Sequence, residues 1–475
     1  MIKLYDSLTR RKKAFRPHKA GRVTMYNCGP TVYDYVHIGN LRAFLLADLL
    51  RRLLEHHGYE VMQIMNITDV GHMLADADEG EDKIQVAAQK AGQTPDEVAK
   101  FYAEAFFRDV DRLNIRRAAA YPRASEHVSE MVKLIEQLLA KGHAYEVEAD
   151  GGVSVYYDVA SFKGYGRLSG NRLEALDPGA RVGVRSEKRH PADFALWIHN
   201  PRHLMQWAAP WGSGYPGWHL ECSAMAMKYL GEAIDIHTGG EDNKFPHHEC
   251  EIAQSEGATG RTFANFWLHV THLMVEGKKM SKSLGNYYTL ADLAAMGHEP
   301  RAVRYLLLSV HYRQSLNFTL DGLDGAKAAL ARLDNFADAV REHAAAGETP
   351  DKAGKAALAA VVAALGDDLN VAEALAVAFE YVRATNDRRA KGGLSEPERA
   401  AAAAFVEALG DIFGFTFGTG GSDREIPASV TELAARRDEA RREKRFAEAD
   451  ALRDQIVAEG FLVEDTPQGT KVKRG

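Results

Sequence analysis

Apolar and polar positions change period several times along the chain, and each change marks an element. Val23 to Tyr26 is a short apolar run that ends in Cys28-Gly29-Pro30, where glycine and proline must turn the backbone. After His37-Ile38-Gly39-Asn40, residues Leu41, Phe44, Leu45, Leu49 and Leu53 recur at helical spacing as far as His57-Gly58, and Val61 to Ile67 reads as a second strand. A strand, crossover helix and strand in that order predict a parallel sheet with ligands at its C-terminal strand ends. Cys28 and Thr68 both fall at such ends.

A charged helical stretch then runs to about Asn114, a helix is predicted near Ser125 to Lys141, and alternating strands flank the hairpin signal Asp150-Gly151-Gly152. This part reads as an insertion, because the first kind of pattern returns at Ala233 to His237, followed by Gly239-Gly240 and a helix opened by Pro246. From Leu323 to Gly414 alanine and leucine repeat at helical spacing with no strand candidate, which predicts a helical bundle. Phe417 to Ser422 reads as a linker. A compact unit follows from Ile426, its last helix burying Phe446, Ala449, Leu452 and Ile456.

The chain has 475 residues, enough for three domains at about 150 each. With 46% hydrophobic and 26% charged residues it has an ordinary globular composition. Three cysteines cannot build a disulfide framework, which points to a reducing compartment and makes each thiol a candidate ligand or nucleophile. The balance of 59 basic and 66 acidic residues, net −7, gives no global positive field, so any RNA contact must use local patches. No signal-length apolar stretch follows the basic run Arg10 to Lys13, and Ala356 to Leu365 falls well short of the ~20 residues that cross a bilayer. A cytoplasmic location without membrane contact is expected.

The helix opened by Pro246 carries His247-His248-Glu249-Cys250-Glu251. Residues four apart stack on one helix face, so His247 and Glu251 can converge, and at a spacing of three so can His247 and Cys250. Zinc takes four ligands from Cys, His and carboxylates, so two donors must come from elsewhere, with Cys28 and Cys222 the candidates. The competing reading makes the histidines ordinary first-turn residues and the cysteines small buried apolar groups. His37-Ile38-Gly39-Asn40 stands at a helix start, where free N–H groups and the macrodipole attract anions; a solvated cap is the plain alternative. Lys278-Lys279-Met280-Ser281-Lys282-Ser283-Leu284-Gly285-Asn286 is either a cationic loop for a polyphosphate or a solvated loop, and it lacks the order of a Walker motif.

These segments occur together and in the order found in class I aminoacyl-tRNA synthetases. Tyr26 to Asp34, Asn66-Ile67-Thr68-Asp69, Pro216 to Met225, Phe245 to Glu249 with Ile252 to Ser255, Lys279 to Asn286 and Glu464 to Thr470 resemble segments of the cysteinyl-tRNA synthetase family. The resemblance implies an α/β fold: a Rossmann-type parallel-sheet catalytic domain split by an insertion, followed by an α-helical bundle and a small C-terminal domain. The expected divisions are 1–115 and 213–290 for the two catalytic halves, 116–212 for the connective insertion and 291–322 for a stem-contact region. Beyond these lie a tRNA-binding bundle at 323–416, a linker at 417–425 and an anticodon-binding domain at 426–475.

The resemblance also implies one zinc ion per chain held by Cys28, Cys222, His247 and Glu251, which selects Glu251 over Cys250 although a thiolate is the softer donor. Zinc would favour the thiolate of L-cysteine over the harder serine hydroxyl. Gly29, Thr68, Trp218 and His237 would line the amino-acid pocket. ATP, with Mg²⁺, would meet Pro30, Thr31, His37, Gly39, Asn40, Lys279, Met280, Ser281, Lys282 and Ser283. Among these His37, Gly39, Asn40, Lys279 and Lys282 would serve catalysis as cysteine attacks the α-phosphate and the terminal ribose of cysteine tRNA attacks the adenylate. Asn40 stands where many family members carry histidine.

Arg436, Arg437, Arg441, Arg442, Lys444 and Arg445, interleaved with Asp438, Glu439 and Glu443, form a local basic ridge on the last helix, and Asp450 could accept from base amino groups. Arg301, Arg304, His311, Tyr312 and Arg313 resemble the stretch near the acceptor stem. The sequence does not fix the oligomeric state, and a monomer is compatible with it. Three other functions compete: a ligase joining cysteine to an amino sugar, which would lack the C-terminal module; a zinc hydrolase, for which the His-Glu-x-x-His order is missing; and an RNA-binding protein without catalysis, which would not need His37 or Lys282.

Overall fold

A computed structural model describes residues 1–70, 82–149, 151–171, 187–281, 284–341, 352–417, 428–443, 445–458, 461–466 and 469–474. Four parallel strands lie in the order Ala264–Val270, Ile234–Gly240, Arg22–Asn27, Glu60–Met65. The crossover helix Ile38–His56 buries Leu41, Phe44, Leu45, Leu49 and Leu53, as its spacing predicts, and the chain turns at Gly58 with φ 82°. Chain order reverses between Arg22–Asn27 and Ile234–Gly240, so a crevice opens at their C-terminal ends.

Between the two halves stand the helix Val128–Ala140 and an antiparallel sheet in the order Ala144–Ala149, Gly152–Tyr157, Phe194–Ile198, Gly212–Pro216, Trp207–Ala209. Its strand Gly212–Pro216 leads almost directly into the helix Leu220–Leu230. Leu273–Val275 pairs antiparallel with Lys278–Lys279 and parallel with Leu316–Phe318, which makes the lysine segment one arm of a hairpin. The helices Leu320–Arg341, Lys352–Gly366, Val371–Gly392 and Glu396–Phe413 form the bundle, and one continuous apolar core runs from Ile2 to Phe417.

Several expectations need correction. The last unit holds two helices, Ala428–Arg442 and Phe446–Ala458, followed by the hairpin Phe461–Thr466 with Gly469–Arg474. Arg436 to Arg442 therefore sit on the helix before the last, and Phe446, at the tip of the helical hairpin, is 61% exposed while Ala449, Leu452 and Ile456 are buried. Arg437, buried, is not part of an RNA face: Arg437 Nη1 donates to Thr470 Oγ1 at 2.7 Å and Oδ1 of half-buried Asp438 accepts from Thr470 N–H at 2.8 Å, which docks the hairpin on the helix.

The stretch read as an acceptor-stem contact is likewise spent partly on packing. Arg304 is 1% exposed and donates to Asp48 and to the carbonyls of Phe413 and Leu113 at 2.6 and 2.8 Å. Tyr312 and Arg313 both donate to buried Asp368, at 2.7 and 2.9 Å. They hold the bundle onto the catalytic domain.

Candidate active site

Cys28 follows the central strand, Cys222 lies in the first turn of Leu220–Leu230, and His247 and Glu251 share a face of the helix His247–Thr259. One ligand atom from each lies within 4.8 Å of every other. Cys250 is one residue off that face and turns away, its Sγ 3.5 Å from the Tyr165 hydroxyl. A second donor group keeps Cys28 and Glu251 but uses His237 and His248. His237 Nε2 lies 2.8 Å from Glu251 Oε2, and His248 Nε2 lies 3.1 Å from Cys28 Sγ. Beyond them His248 Nδ1 is 2.8 Å from His269, and His269 Nδ1 is 2.8 Å from Ser7 Oγ.

His219 Nδ1 lies 3.0 Å from His247 Nδ1, which leaves His247 Nε2 facing Glu251 at 3.1 Å. Burial pushes the Cys28 thiol up, but bonding with Cys222 and the charge of His248 more than offset it and hold it well below the usual range. Cys222 is held well above that range by burial and by Cys28. Burial and mutual interaction thus push the two thiols in opposite directions, Cys28 toward thiolate and Cys222 toward thiol. Two sulfurs, an imidazole and a carboxylate at this separation fit a four-coordinate soft dication.

At the other functional segment, the N–H groups of Gly39 and Asn40 donate to His37 Nδ1 at 3.0 and 3.3 Å, and His37 N–H donates to Asn40 Oδ1 at 3.1 Å. Ile38 N–H donates to the Tyr288 carbonyl at 3.0 Å. The first-turn amides expected to be free for an anion are engaged in a capping box, so an anion must be met by side chains. The Asn40 oxygen is an acceptor there, leaving only its amide nitrogen for a phosphate. Because His37 Nδ1 accepts, the neutral ring carries its proton on Nε2.

A Cβ on Gly39 would lie 2.9 Å from the His37 ring and 3.3 Å from Met280 Cε, so this glycine lets both close on the helix start. The lysine loop is pinched at its base, where Ser281 N–H donates to Asn286 Oδ1 at 2.8 Å and Asn286 Nδ2 to the Lys279 carbonyl at 3.2 Å. Lys279 is exposed. Lys282 and Ser283 lie outside the described residues.

A cleft of about 730 Å³ opens between the two segments. Gly29, Pro30, Thr31, His37, Asn40 and Trp218 border it, together with Tyr33 to Val36, Ser169, Asn171, Glu241 to Pro246 and Tyr287. Trp218 stacks on His247 with ring centroids 4.5 Å apart. Gly29 admits no side chain, since a Cβ would stand 1.7 Å from the Asn66 carbonyl oxygen. Thr68 and His237, expected to line the amino-acid pocket, are both buried: Thr68 donates to Glu221 Oε2 at 2.8 Å, and His237 packs against Glu251 of the donor group.

Comparison with known proteins places this geometry. The class I (C) tRNA synthetase catalytic domain matches residues 14–328, a DALR domain matches 360–418, and the cysteinyl-tRNA ligase anticodon binding domain matches 423–472. The chain is 44% identical to a cysteine–tRNA ligase of Caldicellulosiruptor saccharolyticus over 100% of both chains, and 45% identical to one of Thermus thermophilus over 98% of each. The chain belongs to the cysteinyl-tRNA synthetase family. Such synthetases are class I aminoacyl-tRNA ligases, so the chain is an enzyme of that class and the hydrolase and non-catalytic readings fall away.

Solved structures agree on the fold. The Mycobacterium tuberculosis methionyl-tRNA synthetase in complex with methionyl-adenylate aligns with TM-score 0.58 at 16% identity, over 82% of this chain and 89% of that one. A LeuRS of Agrobacterium radiobacter K84, in a ternary complex with tRNA and LeuAMS, aligns with TM-score 0.59 at 14% identity, over 84% and 85%.

Several residues of this site carry less signal in the sequence. Glu221 is buried beside Thr68, and burial holds its carboxyl well above the usual range against the lowering effect of the Thr68 bond. Its Oε1 has no partner among the described residues. Glu221, His219 and His248 adjoin named site residues and could have been suspected on that ground. Ser169, Asn171 and His269 carry no local signal, because the insertion and the strand Ala264–Val270 deliver them from a distance.

Proposed function

We propose that the chain activates L-cysteine with ATP and transfers the cysteinyl group to the 3′ end of cysteine tRNA, in the cytoplasm. The observation that carries this reading is the convergence of Cys28, Cys222, His247 and Glu251 beside a cleft bordered by His37. These four residues would hold zinc. The chemistry zinc supplies when bound is a preference for a thiolate over a hydroxyl oxygen. That preference matters because an apolar pocket separates close analogues by only about 1–3 kcal/mol, whereas a site demanding a specific strong partner rejects the analogue by about 10⁴-fold. The alternative group is set aside because it offers one sulfur. Its histidines better serve as support, with His237 orienting Glu251 and His248 facing Cys28.

His37, through Nε2–H, would donate to the phosphates as the cysteine carboxylate attacks the α-phosphate and pyrophosphate leaves. Lys279 and Lys282 would neutralise the charge that develops, alongside the Mg²⁺ that accompanies ATP. Trp218 would cover the amino acid beside His247. The anticodon-domain match at 423–472 supports RNA over an amino sugar as the acceptor. Cysteine-dependent exchange of pyrophosphate into ATP, run against serine and followed by charging of a cysteine tRNA transcript, tests the reading. Exchange with cysteine alone and charging are expected; comparable exchange with serine, or activity only with an amino-sugar acceptor, refutes it.

A further inference from the structure

The helix His247–Thr259 is buried on two faces with different tasks. One carries His247 and Glu251 toward the donor group. The other grips the loop 165–171 of the insertion. Glu249, wholly buried, accepts from Leu168 N–H at 3.1 Å and Ser169 N–H at 2.8 Å, both at Oε2. Arg167 pairs with Glu256 two turns further along. The loop closes on itself: Gly170 N–H donates to the Gly166 carbonyl at 2.8 Å and Asn171 N–H to Ser169 Oγ at 3.2 Å. Gly166, at φ 90°, permits this, since a Cβ there would lie 2.0 Å from the Asn171 carbonyl oxygen. Ser169 and exposed Asn171 consequently border the cleft.

The two side chains the loop presents, Ser169 and Asn171, are polar and uncharged, while the Arg10 guanidinium packs against Gly170 between them and Glu241, Asp242 and Lys244 border the same cleft. A hydroxyl and a carboxamide suit sugar hydroxyls, whereas phosphates call for cations, which the lysine loop offers. A carboxylate accepting from two backbone amides is a strong tether, because charge-assisted bonds are about twice as strong as neutral ones. We propose that Glu249 is a positioning residue that fixes this loop to the donor helix so that Asn171, with Ser169, aligns the ribose hydroxyls at the 3′ end of the acceptor RNA. The assignment rests on the reading of the chain as a cysteine-activating tRNA ligase. Activation needs no RNA, so the step served is transfer.

The test measures cysteine-dependent pyrophosphate exchange, single-turnover transfer to cysteine tRNA, and metal content of the full chain. A misplacement of about 1 Å can slow a reaction about 10²-fold. Glu249→Ala and Asn171→Ala should each slow transfer by about tenfold or more relative to exchange, with metal content at the wild-type level. Glu249→Gln should restore transfer, since its carbonyl oxygen can still accept from both amides. Parallel loss of exchange and transfer, unchanged transfer in Asn171→Ala, or a Glu249→Gln enzyme as impaired as Glu249→Ala overturns the assignment. Asn171 is exposed, so its variant decides the matter even if Glu249→Ala fails to fold. Failure of the underlying reading would appear separately, as a wild-type chain that does not activate cysteine or charge the tRNA.

Discussion

His37 illustrates how one side chain can serve as both cap and chemical donor. Loss of an N-cap costs about 1 kcal/mol, whereas loss of one preorganised donor at a developing charge slows a reaction by about 10²–10³-fold. Asparagine is itself a good cap, so His37→Asn should melt near the wild-type temperature while pyrophosphate exchange falls by about 10²-fold. Undiminished exchange would reduce His37 to a cap. Asp109 tests electrostatics away from the site: burial lifts its carboxyl to about 6, against the pull of Arg112 and Arg108. Its folded value exceeds the unfolded one of about 3.9, so the folded state binds more protons between those values and stability falls as pH rises through that window. Asp109→Asn should gain about 1–3 kcal/mol at pH 7.5, and the gain should vanish below about pH 4. Urea unfolding at the two pH values checks this, and an equal effect at both would rule out the burial account.

At the scale of elements, the crossover helix Ile38–His56 shows how a spacing visible in sequence hides a second use. Its leucines cover the sheet, while Asp48 and Arg52 face the bundle. Asp48 accepts from Arg52 Nε at 2.8 Å, from Arg116 N–H at 2.8 Å and from Arg304. Burial raises this carboxyl, but Arg304 and Arg52 outweigh burial and hold it below the ordinary value. Asp48→Ala would leave two buried guanidinium groups around an empty place and should destabilise the chain by about 3–5 kcal/mol, read by denaturant unfolding. A change under about 1 kcal/mol would mean that backbone carbonyls suffice for both arginines. The ligand helix makes the same point. A spacing of four placed His247 with Glu251, but only the packed insertion loop shows why Glu249 and Cys250 turn the other way.

For the whole molecule, the main apolar core ends at Phe417 and the last unit packs on small cores of its own. A chain truncated after Phe417 should fold and keep cysteine-dependent exchange. Each stacked base lost with the missing domain is worth about 1–3 kcal/mol, so tRNA charging should fall by about 10–10²-fold or more. Loss of exchange on truncation would contradict this separation. If the donor group holds zinc as proposed, a chelator should abolish exchange in proportion to the metal removed, with recovery on adding zinc; full exchange by a metal-free chain would remove the thiolate account.

Periodicity alone determined the crossover helix, the split sheet, the hairpin of the insertion and the bundle, because those follow from local spacing of apolar side chains and from turn residues. The sequence also marked Cys28, Cys222, His247 and Glu251 as candidates, since two scarce thiols and one helical spacing are countable. Spacing left Cys250 and Glu251 open and the resemblance favoured Glu251; tertiary structure alone showed where Cys250 turns instead, that His37 occupies its own helix amides, and that Arg304 and Arg437 are packing residues. Each of these depends on which face meets a partner hundreds or tens of residues away, and a one-dimensional pattern specifies faces but not what lies across from them.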